Sequence, residues 1–368
     1  MNPPGTTDKR NRPPLFKAYP ELAENTPWIS LGVFPTPAAK LDNLGFENLW
    51  IKREDKSSPV YGGNKIRKLE FILGEAGKRK TNHIITFGGI GTHHGLATAI
   101  FCKQLGVKCT LLLFRQPVTE GVKKNLLLLN KFNAEMIYKA TLWNTVVSYF
   151  LLERIKHPRA YFVYAGGSSP EGTIGYVNAA FELKEQIRRG EIPHPEIIIC
   201  PLGSGGTLAG LALGLQLAGL QIKLTGVRVT GSRLGPFPAC TPRTVANQMK
   251  QTYNYLRQRS QRLPDISTRP PEILHNYFGD GYGVPTNAAR RVSHLMKQKE
   301  GITLDTTYTS KAFAAVNDYC HMQAEGAGPV LYWHTYNSVN LTDQANSTDY
   351  RELPNPLQRF ITRAVEER

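Results

Sequence analysis

EIIICPLGSGGTLAGLALGLQLAGLQIKLTGVRV, residues 196–229, is the stretch on which the reading of this chain turns. Residues 196–200 are a short apolar run with three consecutive isoleucines, which at that length predicts a buried strand. Residues 203–207 break the run with Gly203, Ser204, Gly205, Gly206 and Thr207. An apolar helix is predicted over 208–218 and a second strand over 224–229. A strand, a glycine turn, a helix and another strand make one βαβ unit, with parallel strands and the helix laid across the sheet.

Working outward, the same alternation recurs. A helix is predicted over 65–77, opened by Gly62-Gly63-Asn64, then a strand over 83–87, a glycine turn and a helix over 97–105. A strand (108–114), a helix (122–130) and strands at 135–138 and 161–164 follow. The last runs into Gly166-Gly167-Ser168-Ser169-Pro170 and a long helix over 172–189. The pattern predicts an α/β protein with open, twisted, mostly parallel sheets flanked by helices. At 368 residues the chain has the length of two domains, taking about 150 residues for each. Residues 231–271, rich in Pro, Arg, Ser and Gln, read as an insertion or surface segment, and the first twenty residues as a loose arm.

Composition narrows the function classes. The longest apolar stretch, residues 208–220, has 13 residues, short of the roughly 20 that a membrane span needs. The N-terminus is polar and proline-rich without the apolar core of a signal peptide. A soluble, cytoplasmic protein without membrane contact is the expectation. Five cysteines without a CxxC pair point to reduced thiols rather than a disulfide framework. The net charge of +16 would suit an anionic partner. The basic residues are scattered, however, and the densest run, residues 65–80, alternates with an apolar stripe as a solvated helix face does. Nucleic acid is not expected as a partner.

Three motifs carry chemistry. A glycine-rich loop between a strand and a helix presents N–H groups and a positive helix end to a phosphate. Here it lacks both the lysine of a Walker loop and the acidic residue that would hold a nucleotide ribose on the next strand. A small phosphorylated cofactor without a ribose fits it better. Lys65, on the first turn of a helix after a glycine pair, sits where the helix dipole disfavours its charge. That suits an amine that must lose its proton to react. Lys68 lies one turn along the same face. The third motif, residues 87–95 (FGGIGTHHG), is again strand, turn and helix start, with Thr92 as a candidate N-cap. Adjacent His93 and His94 diverge on a helix, with no Cys or acidic residue near in sequence, and no metal site is read there.

In combination, the motifs IKREDKSSPVYGGNKIRKLEF, ITFGGI, YAGGSSPEGTIGYVNAA, GSGGTLAGL, DGYGVPT, GITLDTTYTSKA and VLYWHT make the chain resemble a fold type II pyridoxal-phosphate enzyme. More narrowly it resembles the D-cysteine desulfhydrase and 1-aminocyclopropane-1-carboxylate deaminase family, over about residues 41–335. The resemblance implies that pyridoxal 5'-phosphate is the cofactor and that Lys65 forms its Schiff base and then moves the substrate's α proton. It implies that Lys68, Gly203, Ser204, Gly205, Gly206 and Thr207 hold the phosphate. Tyr282 and Tyr308 match the two tyrosines of the family's substrate site, and Thr309 the residue facing the pyridine nitrogen. The substrate would be a small amino acid and the protein a homodimer. The larger domain would combine residues 1–70 and 166–368, the smaller would span 71–165, and the cofactor would lie in the cleft between them.

At the position of Thr309 the deaminases carry a glutamate, which keeps the ring nitrogen protonated. A threonine makes a milder electron sink and favours β-elimination of a good leaving group, hence D-cysteine desulfhydrase. Deamination of 1-aminocyclopropane-1-carboxylate is the alternative reaction, and a cofactor-binding, non-catalytic homologue the alternative from another class. Around the pocket the chain departs from the family. Thr92 replaces a serine that binds the substrate carboxylate, adding a methyl in a tight place. His93 replaces an asparagine at the cofactor's ring hydroxyl, Leu96 an arginine, and Tyr336-Asn337 a glycine pair.

Overall fold

The computed structural model describes residues 12–234 and 237–365, and these form two compact units. Of the described residues, the first comprises 12–71, 168–234 and 237–339, the second 72–167 and 340–365.

The first unit is built on a six-stranded sheet in the order Ala38–Lys40, Leu49–Arg53, Val330–His334, Ile197–Leu202, Lys223–Arg228, Glu272–Leu274. The first pair is antiparallel and every other pair parallel. Side chains alternate between the faces of a strand, so each strand feeds two cores. Ile198, Cys200, Leu202, Leu331 and Trp333 face one core with residues of the helices Pro170–Arg188 and Gly206–Ala218. Ile197, Ile199, Val330 and Tyr332 face the other, with Val292, Met296, Phe313 and Val316 of Asn287–Glu300 and Thr309–Met322. The helix Gly206–Ala218 is buried at every residue except Gln216 and is accordingly almost wholly apolar. Its glycines let it approach its neighbour closely: a Cβ on Gly210 would lie 2.5 Å from the Thr173 carbonyl oxygen, and one on Gly214 2.7 Å from Ala180 Cβ.

Two expectations are corrected in this unit. Residues 12–20 of the expected loose arm are not loose: Pro14–Ala18 and Pro20–Asn25 are short helices, with proline in the first turn of each. Leu15, Phe16 and Leu22 are buried in one cluster with Phe71, Ile174 and Val177. Residues 1–11 lie outside the described residues. Within 231–271, the helix Pro242–Arg257 is more than a surface segment, since it buries Val245, Met249 and Leu256 in the cores.

The second unit carries a four-stranded parallel sheet in the order Glu135–Lys139, Lys108–Phe114, His83–Gly89, Tyr161–Phe162. The helix His93–Leu105 starts at Thr92, whose hydroxyl accepts from Gly95 N, and ends at Gly106 in the left-handed conformation. Residues 340–365, expected with the larger domain, group with this unit instead. Lys124 donates to Asn340 Oδ1 and Thr342 Oγ1, Asn130 donates to Glu352 Oε2, and Phe360 lies against Tyr138. All five cysteines are free. Among the described residues no helix is long and apolar enough to cross a membrane.

Candidate active site

In the first unit, the glycine pair before Lys65 is required by its surroundings. A Cβ on Gly62 would fall 2.0 Å from the Asp55 carbonyl oxygen, and Gly63 has φ +92°. The loop is clamped from the C-terminal side: Gly62 N donates to Asn337 Oδ1 (2.7 Å) and Asn64 N to Thr335 O (3.1 Å). Asn337, one of the departures from the family pattern, thus holds the backbone that presents Lys65. Lys65 is the first residue of the helix Lys65–Lys78, and its Nζ donates to Asn64 Oδ1 (2.7 Å). Asn64 Nδ2 donates in turn to Thr207 Oγ1 (3.1 Å), tying the lysine to the glycine-rich loop. Burial draws the Lys65 amine down to about 8, with Asp305 opposing.

The glycine-rich loop fits a phosphate group. The helices starting at 93, 120, 170, 242 and 287 each have a threonine or serine side chain on their first N–H groups. The helix Gly206–Ala218 has Gly205 instead, at φ +92° and without a side-chain cap. Ser168 Oγ takes the Gly206 N–H, and the rest of the positive end is open to an anion. A Cβ on Gly206 would lie 2.7 Å from Ser168 Oγ and 2.9 Å from Lys68 Nζ, so the cradle closes on an ammonium. Burial, then the neighbouring Lys65, hold the Lys68 amine well below its usual range, and a bound anion would relieve both. Ser168 also donates to Ser204 Oγ (2.7 Å) and accepts from Gly206 N (3.2 Å). Gln248, from the stretch least like the family, donates to Ser204 O (2.8 Å), and Cys240 Sγ donates to Gly203 O.

The two tyrosines meet: Tyr282 Oη and Tyr308 Oη are 2.5 Å apart, one hydroxyl donating to the other. Burial pushes both phenols up. Beside them stands Asp305, a carboxylate to which sequence reasoning gave no role. It caps the helix Thr309–Met322, accepting from Thr307, Tyr308 and Thr309 N. Its proximity also raises the Lys65 amine and both phenols. Thr309 Oγ1 donates to Asp305 Oδ1 (2.6 Å) and accepts from Asp305 N (2.8 Å). With its proton engaged, that hydroxyl is left to a ligand as an acceptor. His334, buried at the end of a central strand, has neither ring nitrogen hydrogen-bonded, and burial lowers it to about 4. The acidic residue just ahead of a helix start was the signal for Asp305. The VLYWHT motif contains His334 but is read from sequence neither as a strand nor as giving its ring a role.

Thr92 and His93 lie in the second unit. The added methyl of Thr92 is accommodated by glycines: a Cβ on Gly95 would lie 2.4 Å from Thr92 Cγ2, and one on Gly88 2.8 Å from Thr92 Cβ. The place is tight, and the methyl fits it because both neighbours lack side chains. Thr92 Oγ1 caps the helix through Gly95 N (3.1 Å). His93 is half-buried, whereas His94 is buried beside Thr86 Oγ1 (3.2 Å), so the two rings do diverge.

Comparison with known proteins places these features in a family. The profile of the family described as "Pyridoxal-phosphate dependent enzyme" matches residues 29–335. A D-cysteine desulfhydrase of Klebsiella pneumoniae is 34% identical, over 84% of this chain and 93% of its own. A Salmonella choleraesuis protein of the same name is 33% identical over the same shares. A solved structure described as an ACC deaminase homologue superposes with a TM-score of 0.73 at 28% identity, covering 90% of this chain and 98% of its own. With that profile, and with relatives this similar along nearly their whole length, the chain belongs to the pyridoxal-phosphate dependent enzyme family.

Proposed function

We propose that the chain is a D-cysteine desulfhydrase, converting D-cysteine and water to pyruvate, sulfide and ammonia. The observation that carries the reading is the Lys65 amine, drawn down to about 8 at a helix start and tied through Asn64 to the glycine-rich loop. The similarity to proteins of that name supports the substrate. Pyridoxal phosphate, when bound, supplies an electron sink for the pair left as the α proton departs. Lys68, Gly203, Ser204, Gly205, Gly206 and Thr207 hold the phosphate through an ammonium and a helix start. Lys65 Nζ takes the α proton and returns one later. One tyrosine of the Tyr282–Tyr308 pair donates to the other, leaving the second O–H directed at the substrate. Thr309 Oγ1 accepts from the ring nitrogen's N–H. Thr92 binds the substrate carboxylate and His93 the ring hydroxyl. Because Thr309 acts as an acceptor there, a protonated ring remains compatible with threonine.

Purified protein given D-cysteine is expected to release sulfide and pyruvate in equal amounts, with a change in its visible absorption. A cofactor band that D-cysteine leaves untouched, with no sulfide formed, would sink the desulfhydrase reading. Turnover of 1-aminocyclopropane-1-carboxylate in its place would favour the deaminase, the reading to which the solved homologue lends support.

Under this proposal the enzyme works in the cytoplasm as a homodimer. An apolar face on residues 142–156 supports pairing: Leu151 and Ile155 are 59% and 79% exposed, with Trp143, Phe150 and Leu152 also out in solvent. Light scattering is expected to give twice the chain mass, and L151E combined with I155E to give a monomer. A monomeric native protein would overturn the assignment.

A further inference from the structure

Lys311 is a lysine in an unexpected place. It is the third residue of the helix Thr309–Met322, where the dipole disfavours a cation, yet it is fully buried. Its Nζ donates to Phe278 O (2.6 Å) and Gly281 O (3.1 Å). The ammonium also lies 5.2 Å from the Phe278 ring, over which the Arg228 guanidinium stands at 4.9 Å. One carbonyl precedes the turn Gly279-Asp280-Gly281-Tyr282-Gly283 and the other lies at its middle, and Gly279 and Gly283 have φ of +69° and +78°. Three glycines in five residues leave such a turn with little conformational preference of its own. Its backbone bond Val284 N to Gly281 O is long at 3.3 Å. A short, charge-assisted bond to a rigid helix is therefore its main polar anchor.

We propose that Lys311 is a positioning residue that clasps the 279–283 turn and so sets the Tyr282 hydroxyl against Tyr308. The clasp explains why a cation is kept at a buried helix start: a carbonyl pair on a glycine turn needs a donor with several protons and a long, compact stem. Burial draws the Lys311 amine down to about 8, and Asp305 and Asp280 oppose that shift. The significance of the clasp for catalysis rests on the proposed role of Tyr282. The clasp itself does not, since it is made entirely by protein groups.

Hydrogen exchange on the full chain separates the two. In K311M, amides of 279–284 are expected to exchange about tenfold faster or more, with the helix 309–322 and the central strands unchanged. With D-cysteine the same variant is expected to lose kcat with the cofactor's visible band intact, and K311Q, with one amide donor, to fall between. Native protection of 279–284 in folded K311M would overturn the proposal. So would a rise spread evenly along 309–322, the mark of a purely structural lysine. Should K311M not fold, K311Q carries the test: exchange about threefold above native is expected, and native protection refutes the clasp. If D-cysteine proves not to be a substrate, the exchange result stands by itself.

Discussion

Replacing Lys65 by alanine is expected to remove the protein's visible absorption band and to lower D-cysteine turnover by about 10³-fold or more, the scale of a lost proton-transfer group. The fold should survive, because the lysine's amine bonds the neighbouring Asn64 side chain rather than a distant element of the fold. Cofactor affinity should fall as well, although Lys68 and the glycine-rich loop remain in place to hold a phosphate. The measurement is an absorption spectrum of K65A after incubation with pyridoxal phosphate, beside a sulfide assay. A retained band together with turnover within tenfold of native would remove Lys65 from the proposed chemistry. K65R is the sharper control. It keeps a cation at the helix start, yet a guanidinium does not give up its proton at working pH, so turnover should stay lost while phosphate binding is better preserved.

The largest effect on stability is expected from Arg67, two residues further along the same helix. Its guanidinium binds Glu54 Oε2 through Nε (2.7 Å) and Glu182 Oε2 through Nη1 (2.8 Å). Its Nη2 reaches Thr36 Oγ1, Glu54 Oε1 and Glu182 Oε1. Lys52 Nζ binds Glu182 Oε1 (2.7 Å) and Thr36 O (2.6 Å), and Tyr176 Oη donates to Glu54 Oε2 (3.1 Å). Two cations and two carboxylates are thus enclosed with every member at 2% exposure or less. R67M removes one cation and leaves two buried carboxylates to a single lysine. Breaking such a set costs about 3–5 kcal/mol, read as a lower denaturant midpoint. A loss under about 1 kcal/mol would mean that the network is not a closed charge set.

Acid sensitivity gives an independent check. Burial pushes the Glu182 carboxyl up, but Arg67 and Lys52 outweigh it and hold it at about 2, below its usual value of 4.5. A carboxyl depressed in the folded state contributes stability above its unfolded pKa and loses it as pH falls through the folded one. The native contribution is therefore complete above pH 4.5 and fades towards 2. In R67M the contribution should be smaller and the fade should end at higher pH, because one of the two cations that depress Glu182 is gone. The same network holds the helix start from which Lys65 projects, so the site inherits its rigidity.

The two predictions rest on residues of different legibility. Lys65 was readable because local rules bear on it: a glycine pair, a helix start and a cation where the dipole disfavours one. Arg67 looked like part of a solvated basic face, since a charge run within one helix does not reveal which member turns inward. Its partners Glu54 and Glu182 are 13 and 115 residues away in the chain. Lys311 was hidden for the same reason, as carbonyl groups leave no mark in sequence. Asp305 stood in view within a quoted motif, but only folding brings Lys65, Tyr282 and Tyr308 into its field.

The sequence by itself determined the α/β class, the strand–turn–helix units at 83–105 and 196–229, the glycine turn at 203–207 and the place of Lys65 at a helix start. Each follows from interactions within a few residues, where periodicity, glycine placement and the helix dipole act without help. Tertiary structure alone decided the place of Leu49–Arg53 and Val330–His334 side by side in the sheet, the packing of residues 14–25 and 242–257 into the core, and the attachment of 340–365 to the second unit. It also decided the Tyr282–Tyr308 contact and the clasp at Lys311. These are pairings across tens to hundreds of residues, fixed by burial and by hydrogen-bond partners that no local pattern encodes.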